Sequence, residues 1–495
     1  MRILDLPEWP WRVVRELSRQ RAVESWLVGG AVRDHLLARA VHDWDFAVDS
    51  DPMGLARAVG DALGGAFFPL DEERGTARVV IASEARGPVE LDFSIIRGGT
   101  LRADLAKRDF TVNAMAVDEA QVLIDPLGGE ADLRAERVRA VDEKAFRDDP
   151  VRLLRAARLE TELGFETEPL TESWMRRDAR LLAQPAAERK RDEFVRGLGA
   201  PGSAGFVQRL DDLELLRYLV PELESLKGVT QTPPRFDVWR HTLNALDTLE
   251  QVIATVVGKP ALATSGACID TPEMAWGTLA RALGQFAGEI NSHLTVTVSA
   301  DRDRMVLLKL ATLLHDLGKP GSRSLGEGQW VHFYGHESAG ARMAAGRMRA
   351  LRFSRVEGAR VGTIIEAHLR PAQLARAERV TRRAIYRYFR DTGDAGVDTI
   401  LLSLADNLAA RRTDLREDRW MRRLDAAELL LHHFFERRQE TVSPELPVDG
   451  YDLMRELGLE PGPKIGEILD ALRESMAAGE IEAREDALGL ARKLI

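Results

Sequence analysis

The stretch Leu27–Ser50, LVGGAVRDHLLARAVHDWDFAVDS, decides how the first part of the chain folds. A short apolar run leads into the pair Gly29–Gly30, and a second apolar run carries Asp43 and Asp45. In a β-strand, residues two apart point to the same face, so the two carboxylates are expected to project together while Trp44 faces the core. Adjacent carboxylates repel each other unless a cation lies between them. Because magnesium prefers oxygen ligands, the pair predicts a magnesium site.

The glycine pair and the arginine after it are suited to bind phosphate. A backbone without a Cβ atom can approach a triphosphate closely, and its amides can bind the anion. Arg33 falls at the start of a predicted helix, where an arginine and a helix N-terminus together favour an anion. The Gly-Gly spacing does not match the pattern of a dinucleotide site. Glycines followed by Asp-x-Asp therefore indicate nucleotidyl transfer, although a solvated strand end would also explain the aspartates.

The composition is that of a large globular protein. The chain has 495 residues, of which 45% are hydrophobic and 30% are charged, so we expect three or four domains. It contains no apolar run of roughly eighteen residues, and its N-terminus lacks the layout of a signal peptide. The single cysteine, Cys268, excludes an internal disulfide and a cysteine-based zinc cluster. These features predict a cytoplasmic protein with no membrane partner.

The net charge of −10 argues against a uniformly basic nucleic-acid binder. It leaves room for local basic faces, and two predicted helical stretches are locally basic: Trp174–Arg196 and Ala405–Arg423. Each is also explained by an ordinary solvated helix face.

The pattern of the sequence changes at Phe146. Before it, short β-branched or alternating runs predict strands between helices. After it, Val151–Leu159 has apolar residues at helical spacing with Gly164 as a stop, and nearly all of the remaining chain favours helix. The fold class is therefore α+β, with a mixed head followed by a long all-α body. Residues 258–300 are weakly patterned and are interpreted as an insertion.

Five motifs in order resemble a known family. They are LVGGAVRDHLLARAVHDWDF, LDEERGTARVV (Leu70–Val80), LAKRDFTVNAMAVD (Leu105–Asp118), DPLGGEADLRAERVRAV (Asp125–Val141) and FRDDPVRLLRAARLETELGF (Phe146–Phe165). Together they resemble the class II tRNA nucleotidyltransferases, or CCA-adding enzymes, and their bacterial poly(A) polymerase relatives. Two positions depart from the family pattern. Ala38 stands where glycine is usual, and Lys107 stands where the second motif usually begins Arg-Arg.

The resemblance implies a polymerase-beta-like nucleotidyltransferase head and gives each motif residue a role. Asp43 and Asp45 would be catalytic and hold two magnesium ions. The residues implied to contact the nucleotide are Gly29, Gly30, Arg33, Arg108, Asp109, Asn113, Asp149, Arg152, Arg155 and Arg158. Asp92, on a later apolar strand, is left open as an auxiliary carboxylate.

Asp149 and Arg152 are predicted to lie three residues apart on one face of a helix. Their acceptors and donors can imitate the pairing edge of a base, although a simple salt bridge also explains them. The resemblance implies that the pair selects ATP and CTP, with Arg155 and Arg158 on the triphosphate.

A series of histidines and aspartates in the body can ligate metal. It resembles the HD domain of metal-dependent phosphohydrolases. The resemblance implies that a divalent metal of unspecified identity is held by His241, His315, Asp316, His336, His368 and Asp406. It also implies phosphatase or phosphodiesterase action on RNA ends, with a metal-bound fold kept for tRNA docking as the alternative.

We therefore predict four parts: a head (1–142), a nucleotide-selecting neck with RNA-binding helices (143–225), an HD domain (226–430) and a helical tail (431–495). The predicted function is addition or repair of the 3′-terminal CCA of tRNA from CTP and ATP, with no prediction of oligomeric state. The alternatives are a poly(A) polymerase, a CC- or A-restricted enzyme, or an HD phosphohydrolase with an RNA-binding head. A non-enzymatic RNA-binding scaffold would need broken metal sites.

Overall fold

The structure is a computed structural model that describes residues 3–4, 6, 8–41, 43–82, 89–231, 236–259, 272–300, 302–325, 331–411 and 414–495. The chain forms two compact units, Met1–Pro185 with Leu213–Leu215, and Ala186–Asp212 with Leu216–Ile495. The boundary at Pro185 falls inside the predicted neck, and the finer four-part division stays a prediction. None of the described helices is long and apolar enough to cross a membrane.

The first unit is a mixed α+β head, as predicted. Its strands are β1 (Ser25–Val28), β2 (Asp43–Val48), β3 (Ala66–Asp71), β4 (Thr76–Ile81), β5 (Val89–Ile95), β6 (Ala116–Val117), β7 (Leu123–Ile124), β8 (Arg137–Val138) and β9 (Glu166–Thr167). Its helices are α1 (Glu8–Arg21), α2 (Gly30–Leu36), α3 (Pro52–Leu63), α4 (Leu101–Leu105), α5 (Gly129–Arg134), α6 (Ala145–Asp148), α7 (Arg152–Leu163) and α8 (Pro169–Asp178).

Seven strands form one sheet in the order β3-β4-β5-β2-β1-β6-β7. The central pair, β2 and β5, is parallel, and its neighbours are antiparallel. On one face of β2, Phe46 stacks between Trp11 and Phe93, with ring centroids 6.0 and 5.0 Å apart. Trp44 points to this same face and is buried, which confirms its predicted orientation. Asp43 and Asp45 therefore project from the opposite face, at the beginning of the strand.

Ala38 follows α2 in a left-handed conformation, with a φ of 54°. This backbone geometry costs a residue with a Cβ atom about 1–2 kcal/mol but costs glycine little. Alanine in place of the usual glycine therefore strains the backbone at this position but does not change the fold.

Replacing Ala38 with glycine is expected to raise the free energy of unfolding by roughly 0.5–1 kcal/mol, because relief of strain exceeds the added entropy of the unfolded chain. Chemical denaturation of the two proteins measures the difference. Ala58→Gly, inside the regular helix α3, is the matched control. It should lower stability by about 1 kcal/mol, so the same sign in both variants would contradict the strain at Ala38.

The second unit is mainly helical, as predicted for the body. Its helices are α9 (Ala187–Gly199), α10 (Ser203–Asp212), α11 (Val238–Val256), α12 (Glu273–Leu283), α13 (Ala287–Leu294), α14 (Arg304–Leu314), α15 (His336–Ala350), α16 (Arg355–Ala367), α17 (Arg370–Leu374), α18 (Arg382–Thr392), α19 (Ala395–Arg411), α20 (Glu417–Phe435), α21 (Gly450–Leu457), α22 (Pro463–Ala477) and α23 (Arg484–Leu494). Two short hairpins interrupt them, β10 (Thr297–Ser299) with β11 (Arg302–Asp303), and β12 (Arg323–Leu325) with β13 (Val331–Phe333).

The segment predicted as an insertion lies partly outside the described residues, at 260–271, which include Cys268. Its remainder is built into the helical unit. Trp420 of α20 is fully buried and donates its indole N–H to Thr278 of α12 over 2.9 Å. Helix α13 brings the buried His293 to Asp398 of α19, 3.2 Å away. Residues 272–300 therefore pack as part of the body.

Candidate active site and metal centre

Three carboxylates meet on one face of the head sheet, near the start of β2. We call this group the carboxylate edge. Asp43 and Asp45 begin β2, and Asp92 lies directly beside Asp45 on β5. Arg78 of β4 forms a two-pronged salt bridge with Asp92, at 2.8 Å for each pair of atoms. Burial raises the pKa of Asp45 to about 6; the charge of Arg108 opposes this effect, and Asp92 and Asp43 add to it. Burial and the neighbouring negative charges disfavour the ionised form of Asp45. A bound cation would stabilise that form, which fits the predicted metal site.

The raised pKa of Asp45 makes the metal-free head less stable at neutral pH. Because the folded pKa of about 6 exceeds the ordinary value of 3.8, the contribution of this group is fully present below pH 3.8. It is lost as the pH rises through 6. With a chelator present, Asp45→Asn is expected to stabilise the head by on the order of 2–3 kcal/mol at pH 7.5.

Denaturant unfolding at several pH values tests this expectation, and the gain should shrink steadily as the pH falls below 6. Asp61→Asn, an exposed carboxylate on α3, should change stability little at any of these pH values. A gain for Asp45→Asn that did not depend on pH would rule out the buried charge as its cause.

Two side chains approach the backbone at Gly29 so closely that a larger residue would clash with them. Its φ is +76°, and a Cβ atom there would lie 2.9 Å from Nη1 of Arg108 and 3.3 Å from Oδ2 of Asp45. Glycine thus allows a cationic and an anionic site residue to converge on one backbone position. Gly29 was predicted only to contact the triphosphate, and its close approach to these two side chains was not predicted.

Arg33 is already engaged inside the head. Its guanidinium donates to both carboxylate oxygens of Asp34 at 2.8 and 2.9 Å, and to Oδ1 of Asn113 at 2.7 Å. These bonds use three of the five N–H groups of Arg33, so the arginine holds Asn113 in place and two N–H groups remain for phosphate. The contact between Arg33 and the triphosphate stays a prediction.

Asp109 connects the site residues to one another. Its Oδ1 accepts from the Phe110 amide at 2.7 Å and from Nδ2 of Asn113 at 3.1 Å, and its Oδ2 pairs with Nε of Arg155 at 2.9 Å. Burial would raise the pKa of Asp109, but Arg155 and these hydrogen bonds hold it below the ordinary value. The buried carboxylate is therefore a positioning group for Asn113 and Arg155.

Arg108 is oriented by a residue that the sequence argument missed. Asp104 is buried and binds Nη2 of Arg108 at 3.2 Å and Nε of Arg97 at 2.8 Å. The sequence contains a signal for this ion pair: Asp104 stands four residues before Arg108, a spacing typical of helical ion pairs.

The prediction that Asp149 and Arg152 share one helix face is wrong. Helix α7 begins at Arg152, and Asp149 precedes it in an extended conformation, with φ −149° and ψ 96°. Pro150 explains the difference, because a proline disfavours helical geometry in the residue before it. Arg152 donates to the main-chain carbonyl of Lys107 at 2.8 Å, which connects the start of α7 to the motif Leu105–Asp118.

Arg155 and Arg158 do not act as one pair in this structure. Arg155 binds Asp109 and faces the carboxylate edge, where its charge acts on Asp45. Arg158 binds Glu162 within α7 at 2.6 Å and is mostly buried. Arg155 therefore lies in the site, whereas Arg158 pairs with another residue of its own helix.

The second unit gathers the histidine series into one buried cluster. His241 lies on α11, His315 and Asp316 follow α14, His336 begins α15, His368 follows α16, and Asp406 lies on α19. Nε2 of His241 is 2.9 Å from Asp406, and Nε2 of His315 is 3.2 Å from Asp316. The rings of His336 and His368 are 5.3 Å apart. All six predicted ligands are thus brought together.

The cluster presents unpaired polar atoms to its own centre. Nε2 of His315, Nε2 of His336 and Oδ1 of Asp316 are buried and have no hydrogen-bond partner among the residues that the structure describes. Such atoms are costly unless they bind something. Atoms of two triads, His241–His315–Asp406 and His315–Asp316–His368, lie close enough together to hold an ion. Mixed imidazole and carboxylate donors suit a divalent transition metal, so these residues fit one.

Three of the histidines are oriented by the main chain. Nδ1 of His315, His336 and His368 donates to the carbonyl of Thr312, Phe333 and Ile365, respectively, over 2.6–2.7 Å. A carbonyl only accepts, so each Nδ1 carries a proton, and Nε2 is the ring atom that faces the cluster and can bind a metal once it carries no proton.

Charge in the cluster is balanced by a proton when no metal is bound. Burial would lower the pKa of His315, but Asp316 and Asp406 outweigh it and raise the value to about 10. Lys319 also binds Asp316, at 2.6 Å. A metal that binds His315 must displace its proton, so metal affinity is expected to rise with pH.

Three family models match parts of the chain. Residues 25–139 match the poly A polymerase head domain, 164–227 match the "probable RNA and SrmB-binding site of polymerase A", and 278–411 match the HD domain. His241 lies outside the last match but within the observed cluster.

Two relatives align along nearly their whole length. The A-adding tRNA nucleotidyltransferase of Deinococcus radiodurans is 35% identical, over 93% of each chain. The CC-adding enzyme of Geobacter sulfurreducens is 32% identical, over 96% of this chain and 93% of its own. The fold is shared with the CCA-adding enzyme of Thermotoga maritima complexed with tRNA, at a TM-score of 0.56 and 19% identity, covering 98% of this chain and 94% of the other. With its head, its helical body and both sets of site residues, the chain belongs to the tRNA nucleotidyltransferase family.

Proposed function

We propose that the head adds the 3′-terminal CCA to tRNA, using CTP and ATP as substrates and two Mg²⁺ ions as cofactors. The observation that carries this proposal is the carboxylate edge, where Asp43 and Asp45 stand beside Arg108 and Arg155. Carboxylates for metal and arginines for phosphate are the two requirements of nucleotidyl transfer. The relatives that align at full length support a tRNA substrate.

In the proposed reaction, the 3′-oxygen of the RNA forms a bond to the α-phosphorus of the nucleotide. The bond from that phosphorus to the bridging oxygen breaks, pyrophosphate leaves, and the hydroxyl proton passes to solvent. Bound Mg²⁺ would promote ionisation of the hydroxyl and neutralise charge on the pyrophosphate. Asp45 must be ionised to act as a ligand, whereas Arg108 and Arg155 supply positive charge. Asp109 keeps Arg155 and Asn113 in place, which supplies positioning.

The relatives include an A-adding and a CC-adding enzyme, so the experiment must separate three outcomes. Purified protein is incubated with Mg²⁺ and three tRNAs, which lack CCA, CA or only the final A. We expect CTP alone to add two residues to the first tRNA, CTP with ATP to add three, and ATP alone to complete the third. A halt after two residues with ATP present, a requirement for a preformed CC end, or a long homopolymer tail would each overturn CCA addition.

Asp149→Ala is expected to relax nucleotide choice, raising the relative incorporation of GTP or UTP by roughly 10-fold or more. The side chain precedes α7 in an extended conformation and supplies acceptors that a base edge can recognise. Single-nucleotide incorporation with each of the four triphosphates measures the change. Asp148→Ala, one residue earlier and exposed, is the matched control. An unchanged preference in Asp149→Ala would remove this residue from nucleotide selection.

The buried histidine cluster supports a second candidate function. We propose that the HD centre binds a divalent metal and hydrolyses phosphate esters at RNA ends. The unpaired inward-facing atoms of His315, His336 and Asp316 favour this proposal over a purely structural helical unit. A cytoplasmic location stays a prediction.

A further inference from the structure

A cavity of about 430 Å³ lies between α17, α19 and α20 in the second unit. Its wall is strongly basic. The arginines that line it are Arg376, Arg411, Arg416, Arg419, Arg422 and Arg423. Asp414 is the one acidic side chain among the residues described around the cavity. We call this cavity the arginine pocket.

Only part of this positive charge is neutralised. Arg416 and Arg422 both bind Asp418, each with a contact of 3.1 Å. Within the part of the chain that the structure describes, the side chains of Arg376, Arg411, Arg419 and Arg423 make no hydrogen bond or salt bridge. Four guanidinium groups thus face one cavity in which Asp414 is the only carboxylate among the described lining residues, and their mutual repulsion raises the free energy of the empty pocket.

The local sequence explains why these side chains converge. Asn407 and Arg411 are four residues apart on α19, and Arg419 and Arg423 are four residues apart on α20, so each pair lies on one helix face. Arg423 is half-buried. Burial and the charges of Arg376, Arg411 and Arg419 lower its pKa, whereas the carboxylate of Asp406 raises it. The basic stretch Ala405–Arg423 is therefore more than a solvated helix face.

The pocket adjoins the metal centre of the same unit. Asp406 belongs to the histidine cluster, and the next residue, Asn407, lines the pocket. Helix α17 and Arg376 follow His368 in the chain. A ligand in the pocket would therefore lie beside the HD centre.

We propose that the arginine pocket binds an oligophosphate, meaning pyrophosphate or the phosphate chain of a nucleoside triphosphate. Arginine matches phosphate oxygens with paired hydrogen bonds. A single phosphate carries only about two negative charges and leaves much of the pocket's charge uncompensated, whereas linked phosphates concentrate more charge in one small volume. The cavity falls within the roughly 300–1,000 Å³ typical of small-molecule sites.

The test uses the full-length chain without added Mg²⁺, so that Mg²⁺-dependent binding to the head is suppressed while Asp43 and Asp45 keep their negative charge. Isothermal titration calorimetry measures the affinity for pyrophosphate, orthophosphate, sulfate, CTP and ATP at one ionic strength. We expect pyrophosphate to bind at least 10-fold more tightly than orthophosphate or sulfate. Similar affinity for all three would indicate a non-specific anion site and overturn the proposal.

Variants assign the binding to the pocket. Adding Arg411→Gln and Arg423→Gln should weaken pyrophosphate binding at least 10-fold. Arg473→Gln, on α22 and outside the pocket, where the arginine pairs with Asp470, should change it less than 2-fold. Melting temperatures verify folding, and loss of repelling charge should not lower them. Arg411→Lys with Arg423→Lys should retain partial binding. Equal affinity in Arg411→Gln/Arg423→Gln and the parent protein would refute the assignment.

The same series distinguishes the ligand source. CTP or ATP binding more tightly than pyrophosphate would identify a nucleotide, and equal binding would identify the phosphate chain alone. If the glutamine variants lose tRNA affinity and keep pyrophosphate affinity, the pocket binds RNA and the proposal is wrong. The measurement does not depend on nucleotide incorporation, so it can fail or succeed independently of the proposed head activity.

Discussion

Replacing Asp43 with asparagine is expected to lower nucleotide incorporation by on the order of 10³-fold or more. The side chain is exposed at the start of β2, and the other carboxylate of that strand, Asp45, is already assigned as a metal ligand of its own. Losing one negative oxygen removes a metal ligand while leaving the shape of the site intact. Single-turnover incorporation of labelled CTP into tRNA lacking its CCA end measures the effect.

Two controls make the result specific. Asp61→Asn, on α3, should keep incorporation within 2-fold of the parent protein. The binding of tRNA by Asp43→Asn should also remain unchanged, because the substitution affects chemistry rather than the fold. If Asp43→Asn retained substantial incorporation, the proposed catalytic role of the carboxylate edge would be wrong.

Replacing His315 with glutamine is expected to have the second large effect, the loss of the metal from the HD centre. His315 belongs to both candidate metal triads, so one substitution removes a ligand from each. Metal affinity should fall by on the order of 10²-fold or more. Inductively coupled plasma mass spectrometry of the purified protein, together with hydrolysis of an RNA 3′-phosphate or cyclic phosphate, measures the change.

His432→Gln on α20 is the matched control, because His432 is half-buried and pairs with Glu436 away from the cluster. It should keep both metal and hydrolysis. Incorporation of CTP should be unaffected by His315→Gln. Retention of a full equivalent of metal by a folded His315→Gln protein would exclude His315 as a ligand.

Much of the architecture could be predicted because it depends on local pattern. Alternation around Trp44 placed two carboxylates on one face, and helical spacing with Gly164 as a stop located α7 correctly. The six candidate metal ligands were assigned through the resemblance to the HD domain, and each stands in or beside an apolar helical stretch.

The remaining features depend on contacts between distant segments. Arg78 meets Asp92 only through the register of β4 and β5, and no pattern within either strand shows that pairing. The engagement of Arg33 with Asn113 likewise joins residues eighty positions apart. The helix start at Arg152 is different, since Pro150 was visible in the sequence and should have excluded Asp149 from the helix.

The main-chain carbonyls that hold His315, His336 and His368 affect how the metal centre can evolve. Each imidazole takes its orientation from an atom that every amino acid carries at Thr312, Phe333 or Ile365. Replacing those side chains does not delete the acceptor. The orientation of the ligands is therefore tolerant of sequence drift at the residues that support them, and it is vulnerable to changes in the path of the backbone. Variation among relatives at these three positions would be compatible with an intact metal centre.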